Sequence, residues 1–507
     1  MGIVEWMCQK PRMSMSKVWV GLLGLLVSSG CAGSRALCPR EGGRAWSEVK
    51  SEHFRMHTDL SPEVAAKSAI ELEKLRRALL LAWGTDFNPP GSLDVILLRN
   101  TSELAEFTQG RYIGFVSTTE RGPLLVMSGE GYLLDNGPEL QLQTHELAHY
   151  LSQHVLLRQP RWLAEGLAQY LETTHIKPST GEAVLGRVNA NSRNYVTRNG
   201  WLGIDELWEW DKKELLSDAE SQQHYASAWL WVHYLMNMHP ERFDAFQTRL
   251  ARAEDPRRAF AQSFQGVSDL GGDLRTYLMS GRSAYLTLPL PAVSTQVAVR
   301  ELGSAEVHAN RGLMFLRAPG ELTQAQRKEK ASAELAQALT EDPTNVSAAV
   351  LATQLSSNRQ EHLTRARELV KAHPDDGRGW DLLAEMLSDQ DEPQALEQAR
   401  ESAARLLPHD VRMLTSLAQH YMMTLQPQKG LPSAKRAVEL SPGNPFGLAV
   451  QAALFFQLDR CAEAVGFQRR AVDMLHEAYS AEFRKDLRER LQRYEEKCGA
   501  AVSKPVP

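Results

Sequence analysis

The residues best suited to chemistry in this 507-residue chain are His145-Glu146-Leu147-Ala148-His149. Residues four apart on an α-helix lie on one face a turn apart, so His145 and His149 can both aim a ring nitrogen at a single ion. Neutral imidazoles suit Zn2+, and Glu146 beside them can take a proton from a water that such an ion acidifies. The competing reading is a helix with two surface or core histidines. A second segment weighs against it: Pro160-Arg161-Trp162-Leu163-Ala164-Glu165-Gly166-Leu167-Ala168-Gln169-Tyr170 carries one acid in an otherwise apolar stretch. A carboxylate at Glu165 is expensive to bury alone and is explained if it ligates a cation; a solvent-facing Glu165 is the alternative. Gly166 permits the two helices to approach closely.

The elements that must position these groups are mixed before the motif and helical after it. Phe54, Met56 and Thr58 alternate as a strand, and Pro62 to Trp83 carries leucines and alanines at helical spacing. After an Asn88-Pro89-Pro90-Gly91 turn, Leu93 to Leu98 reads as a buried strand, followed by a short helix near Ser102 to Phe107. Ile113 to Ser117 and Leu124 to Ser128 are two more strands, and Asp135-Asn136-Gly137-Pro138-Glu139 is a helix start that opens the histidine helix. From Arg161 to about Leu278 the pattern is helical, with a polar, irregular surface loop expected at Lys177 to Asn199. Pro289 and Pro291 then place a domain boundary near 285 to 303.

Beyond it, prolines recur at Pro343, Pro374, Pro408 and Pro442, at intervals of 31, 34 and 34 residues. A period near 34 predicts tetratricopeptide units, clearest from Val411 through Leu414, Leu417, Ala418, Tyr421, Gly430, Ala434 and Ala437 to Pro442. An unrelated helical bundle is the alternative.

At the N-terminus, Lys17 precedes an apolar run, Val18 to Val27, too short to span a bilayer but suited to a signal-peptide core. Ser28-Ser29-Gly30-Cys31 then resembles the bacterial lipobox, in which the Cys thiol receives the lipid, with Ser28 departing from the usual Leu or Val. An ordinary cleaved leader with an incidental Cys is the other option, and either implies export. Of the five cysteines, Cys461 and Cys498 could pair in an oxidising envelope or stand as two core thiols, and Cys38 has no obvious partner. A net charge of -5, from 57 basic and 62 acidic residues spread along the chain, gives no footprint for nucleic acid.

A metzincin-type third histidine is excluded, because Ser152 and Val155 stand where that pattern has Gly and His, and His154 would point elsewhere on the helix. The HExxH helix followed by Trp162-Leu163-x-Glu165-Gly166 instead resembles the gluzincin metallopeptidases, specifically the bacterial peptidase MA-like group, over roughly Trp46 to Leu288. The resemblance implies an α+β zincin-like domain with an edge strand over the substrate cleft, for which Leu124 to Ser128 is the candidate, and a helical subdomain below the metal. It implies His145, His149 and Glu165 as ligands of one Zn2+, water as the fourth, and Glu146 as general base. By analogy with aminopeptidase-type gluzincins, Tyr225 is the best match for an oxyanion donor; it could equally be a packing residue, and His224 is the local alternative. No Gly-rich amine-binding motif precedes the histidine helix, which leaves endopeptidase as the default.

The expected order is therefore a leader over 1–31, a tether over 32–45, the zincin-like domain over 46–288, a linker over 289–303, an all-α tetratricopeptide-repeat solenoid over 304–500 and a tail over 501–507. The expected function is zinc-dependent peptide hydrolysis in the bacterial cell envelope, with a peptide or protein substrate, a protein partner on the repeats and membrane attachment through Cys31. The alternatives are a non-catalytic zincin scaffold with a repeat-based interaction role, and a zinc-binding, chaperone-like lipoprotein.

Overall fold

Strict alternation along the strands splits the apolar residues between two faces of one sheet, and that split sets the architecture. The computed structural model describes residues 35–502 apart from 85–87, 90, 111, 113, 120–121, 130–137, 214–215, 282 and 476–478. The leader, Cys31 and the Asp135-Asn136-Gly137 cap lie outside the described residues.

The main sheet uses β1 (Trp46–Lys50), β2 (Phe54–Thr58), β3 (Leu93–Leu98), β4 (Gly114–Thr119) and β5 (Gly122–Ser128). The intervening helices are α1 (Pro62–Leu80) and α2 (Thr101–Thr108). α3 (Pro138–Val155) and α4 (Arg161–Leu171) follow, then a hairpin of β6 (His175–Ile176) and β7 (Glu182–Leu185), and helices α5 (Ala190–Asn199), α6 (Ile204–Trp208), α7 (Asp218–Met238), α8 (Pro240–Ala251), α9 (Pro256–Ser263) and α10 (Leu270–Ser280). β8 (Leu286–Pro289) completes a second sheet in the order β6-β7-β8, and β9 (Ala298–Leu302) returns to the first, whose order is β4-β5-β3-β2-β1-β9. β2, β3 and β5 run parallel; β1, β4 and β9 are antiparallel to their neighbours.

Val95 and Leu97 of β3 and Leu125 and Met127 of β5 face a large core shared with α1, α3, α4 and α7. Ile96, Leu98, Leu124 and Val126 face the opposite way, into a second core completed by α2 and by the first helix of the C-terminal half.

Four expectations need correction here. Leu124 to Ser128 is not the edge strand: β5 lies between β3 and β4, its apolar residues covered on both faces, and the more polar β4 is the edge. Lys177 to Asn199 is not an irregular loop but the end of the β6–β7 hairpin and helix α5, which Asn189 caps by accepting from the Ser192 N–H at 3.1 Å. The 289–303 segment is not a linker, because β9 pairs with β1 with Arg300 opposite Glu48, and the guanidinium meets that carboxylate at 2.9 Å. The 32–45 tether is partly packed: Ala36 and Cys38 are buried in the second core, with Cys38 a free thiol, while residues 40–45 are mostly exposed.

The C-terminal half is an all-α solenoid of stacked helix pairs. It comprises α11 (Ser304–Arg317), α12 (Gln324–Glu341), α13 (Val346–Thr353), α14 (Arg359–Ala372), α15 (Gly377–Leu387), α16 (Pro393–Leu406), α17 (Val411–Met423), α18 (Pro427–Leu440), α19 (Pro445–Gln457), α20 (Cys461–Asp473) and α21 (Ala481–Val502). The recurring prolines sit between pairs, and the small residues Gly430 and Ala434 lie where α18 meets α17 and α19. Cys461 and Cys498 form a disulfide that ties α20 to α21. That last helix runs to Val502, past the expected start of the tail.

The solenoid touches the N-terminal half at both ends. α11 and α12 cover the second face of the sheet, and near the C-terminus Leu157 and Ala253 pack with Val438, Leu448 and Met474. The first contact carries a buried ion cluster. Arg311, 2% exposed, donates to Glu106 at 2.9 Å, to Glu334 at 2.9 Å and to the Ala36 carbonyl, while His308 donates to Glu334 at 2.7 Å.

Candidate metal centre

α3 buries Leu147, Ala148 and Leu151 against β3 and β5, which leaves His145 and His149 together on its other side. α4 is apolar nearly all round, so it can exist only as a buried helix, and it lies between α3 and α7. Gly166 does permit a close approach, but to α7 rather than to α3: a Cβ there would meet the Ala228 carbonyl oxygen and Val232 at 2.5 Å. Trp162 anchors the helix start against Trp208, Phe246 and Phe260. With one face of α4 fixed on α7, Glu165 is carried towards the two histidines.

The three side chains converge. His145 Nε2 and His149 Nε2 are 3.1 Å apart, and Glu165 Oε2 lies 3.3 Å from His149 Nε2 and 3.6 Å from His145 Nε2. Three ligands at zinc's usual distances of about 2.0–2.1 Å, arranged tetrahedrally, stand about 3.3–3.4 Å from one another. Glu165 is 3% exposed, and its Oε2 has no hydrogen-bond partner among the described residues. A buried, orphaned carboxylate oxygen facing two ring nitrogens is a poor arrangement for a hydrogen-bonded core and a good one for a cation. This donor set, two imidazoles and one carboxylate, suits Zn2+.

The electrostatics agree with that fit. Burial raises the Glu165 pKa, but the charges of His149 and His145 outweigh it and hold the group down at about 2, so the carboxylate is ionised. Burial lowers the His145 pKa, yet Glu165 and Glu172 more than offset it and raise it well above the ordinary value. Glu146 is buried on α3 beside these three side chains, and that burial, opposed by His145 and His149, pushes its carboxyl pKa up. Three carboxylates around two imidazoles leave an excess of negative charge.

No sequence motif singles out Glu172, although its position is informative. It lies seven residues beyond Glu165, two turns along the same face, and its Oε2 accepts from His145 Nδ1–H at 2.7 Å. That bond places the proton on Nδ1 and turns the Nε2 lone pair towards Glu165 and His149. Asn189 Nδ2 donates to the other oxygen of Glu172 at 2.6 Å and so orients the carboxylate.

Tyr225 stands on α7 with its ring 5.3 Å from Trp210. Burial first, and then the negative charge of Glu165, push the phenol pKa far up, while a hydrogen bond with Arg161 opposes them. The hydroxyl therefore keeps its proton within electrostatic reach of Glu165 and Glu146. His224 is committed elsewhere: its Nδ1–H donates to the Glu220 carbonyl at 2.7 Å and its ring packs on Trp210. His154 likewise turns away, with Nδ1 on the Tyr150 carbonyl at 3.0 Å.

Residues 143–256, which include all three convergent side chains, match a family described as "Protein of unknown function (DUF1570)". No curated protein matches the chain. Solved structures similar to parts of it include MamA (14% identity, 40% of this chain and 98% of that one, TM-score 0.27) and a thermophilic TPR protein of Thermus thermophilus (18%, 38% and 98%, 0.26). Another is pilF of Pseudomonas aeruginosa (15%, 39% and 91%, 0.29).

Proposed function

We propose that the protein is a zinc-dependent peptidase, an endopeptidase with a zincin-like N-terminal half, that works in the bacterial cell envelope as an exported lipoprotein anchored at Cys31. The observation that carries the proposal is the convergence of His145 Nε2, His149 Nε2 and the orphaned Glu165 Oε2 at mutual distances of 3.1 to 3.6 Å. These three residues would hold one Zn2+, which supplies Lewis-acid polarisation of a carbonyl and a lowered pKa for a coordinated water.

The chain's own groups have separate tasks. Glu172 holds the His145 ring in the tautomer that presents Nε2. Glu146, whose pKa burial raises, takes a proton on its carboxylate and hands it to the leaving amine. Tyr225 keeps its phenolic proton and donates to the oxygen on which negative charge develops. The solenoid offers a surface for a protein partner or a protein substrate.

The test is proteolysis of an unstructured protein by the full chain. Glu146→Gln is expected to abolish cleavage while retaining the metal, and Tyr225→Phe to lower kcat by about 10²- to 10³-fold with little change in KM. Undiminished cleavage by Glu146→Gln would remove the mechanism. A second reading, a non-catalytic scaffold that acts through its repeats, has the support of the observed fold class, whereas catalysis rests on site geometry alone. A wild-type chain that cleaves nothing yet retains a specific bound partner would establish that second reading.

A further inference from the structure

The second face of the main sheet is apolar only in part. Ile96, Leu98, Leu124 and Val126 pack under α2 and α11, but Glu48, Arg55, His57 and Asp94, which alternate with the core residues Val49, Met56 and Val95, share that face. The solenoid bridges this polar half without filling it. A cavity of about 640 Å³ remains, with the sheet on one side and α11, α13 and the turn between α14 and α15 on the other. That volume is ordinary for a small-molecule site. The candidate metal centre lies across the sheet, on the side of α3, so the cavity is a separate place.

Most acids of the wall are engaged. Asp94 accepts both prongs of Arg55 at 2.8 and 2.6 Å, Glu48 and Glu306 accept from Arg300 at 2.9 and 2.8 Å, and Asp376 pairs with Arg378. Asp375, exposed on the turn before α15, is the exception, with no basic partner among the described residues. The open groups on the helices are donors. Arg317 is half-buried and forms no ion pair with a carboxylate among the described residues; its Nη2 donates to Gln354 Oε1 at 3.0 Å, and Gln354 Nε2 has no partner among them. Two turns back on the same face of α11, Asn310 is 7% exposed, with Oδ1 2.8 Å from His57 Nδ1 and Nδ2 without a partner among the described residues. That Nδ2 is not sealed from solvent, and the space Asn310 lines is the cavity, so the atom faces into it. A side chain so buried normally has its polar atoms satisfied, and a ligand in the cavity would satisfy this one. Between the two groups, about 10 Å apart along the helix, Leu313 on α11 and Val350 and Leu351 on α13 make the wall apolar.

We propose that this cavity binds a small ligand with an acid group at one end, an apolar body and a polar group at the other end, the acid on Arg317 and Gln354 and the polar group on Asn310. Arg317 supplies a single charge, which matches a carboxylate rather than a phosphate dianion, and Asp375 repels the acid from its own side. The same chemistry is found in a hydroxylated acyl chain and at the C-terminus of a short apolar peptide. The inference does not rest on the peptidase reading above.

Binding tests it without turnover, and the zinc-free full-length chain suffices because the cavity shares no residue with the candidate metal centre. Titration calorimetry compares two acids with their amides: ω-hydroxyoctanoate with ω-hydroxyoctanamide, and N-acetyl-dileucine with its C-terminal amide. At least one acid is expected to bind about tenfold more tightly than its amide, and the pair that shows the preference identifies the source. Arg317→Gln is expected to abolish that preference and Gln354→Leu to reduce it, while Asn310→Ala weakens the acid and its amide alike. The Gln354 variant keeps the test open if Arg317→Gln does not fold. Equal affinities within both pairs, or a preference unaltered in the Arg317 and Gln354 variants, would overturn the proposal.

Discussion

Two buried clusters of charge, one at the seam between the halves and one between α3 and α4, are built to opposite rules. At the seam, two guanidinium groups, Arg35 and Arg311, meet two carboxylates, Glu106 and Glu334, and each N–H of Arg311 described above points at an oxygen. Its acids are held below the usual carboxylate range despite burial, because the cations that stabilise them are part of the chain. Between α3 and α4 the acids outnumber the cations the chain supplies, and two ring nitrogens and a carboxylate oxygen face one another at 3.1 to 3.6 Å. The first cluster is complete as a structural joint. The second has the geometry of a site that a cation would complete.

That difference can be broken from the seam side first. Arg311→Met leaves Glu106 with Arg35 alone and Glu334 with His308 alone, and unfolding free energy measured by chemical denaturation should fall by about 3–5 kcal/mol. A change below about 1 kcal/mol would mean that the seam is not a structural joint.

A buried histidine without acids sharpens the contrast next. His233, 1% exposed on α7, accepts from the Tyr277 hydroxyl at 2.6 Å, and burial lowers its pKa to about 4. The unfolded chain, with an ordinary value near 6.5, binds the proton first as pH falls. Its contribution to stability is therefore full above about pH 6.5 and is lost between there and pH 4, a loss of about 3 kcal/mol. His233→Gln should flatten the pH dependence of the unfolding midpoint over that range, and an unaltered slope would remove His233 as its source. His145 differs because Glu165 and Glu172 surround it, and its shift has the opposite sign.

The smallest expected effect lies one hydrogen bond from the candidate metal site. Glu172→Gln should weaken zinc binding by about 10- to 100-fold in competition with a chromogenic chelator, with little change in the stability of the zinc-free chain. Unchanged affinity would make Glu172 a spectator.

These contrasts show which parts of the molecule could be read in advance. His145, His149 and Glu165 were legible because helical periodicity is local and a lone acid in an apolar run demands a reason. Glu172 obeyed the same periodicity but sits at a helix end among polar residues, where an acid needs no explanation. The repeats were legible from proline spacing, and the expectation holds at the level of an all-α solenoid. Strand order is not legible: nothing within Leu124 to Ser128 tells that β4 lies outside β5 at the edge. β9 reads as a linker because its partner β1, with Glu48 opposite Arg300, is 252 residues away and its own residues are mostly exposed.

Zinc content tests the central claim most directly. Protein purified without added chelator and measured by elemental analysis should carry one zinc per chain, and His149→Ala, with the solenoid and seam intact, should carry none. Wild-type protein that folds normally, takes up no zinc when it is supplied and is not stabilised by it would contradict the account.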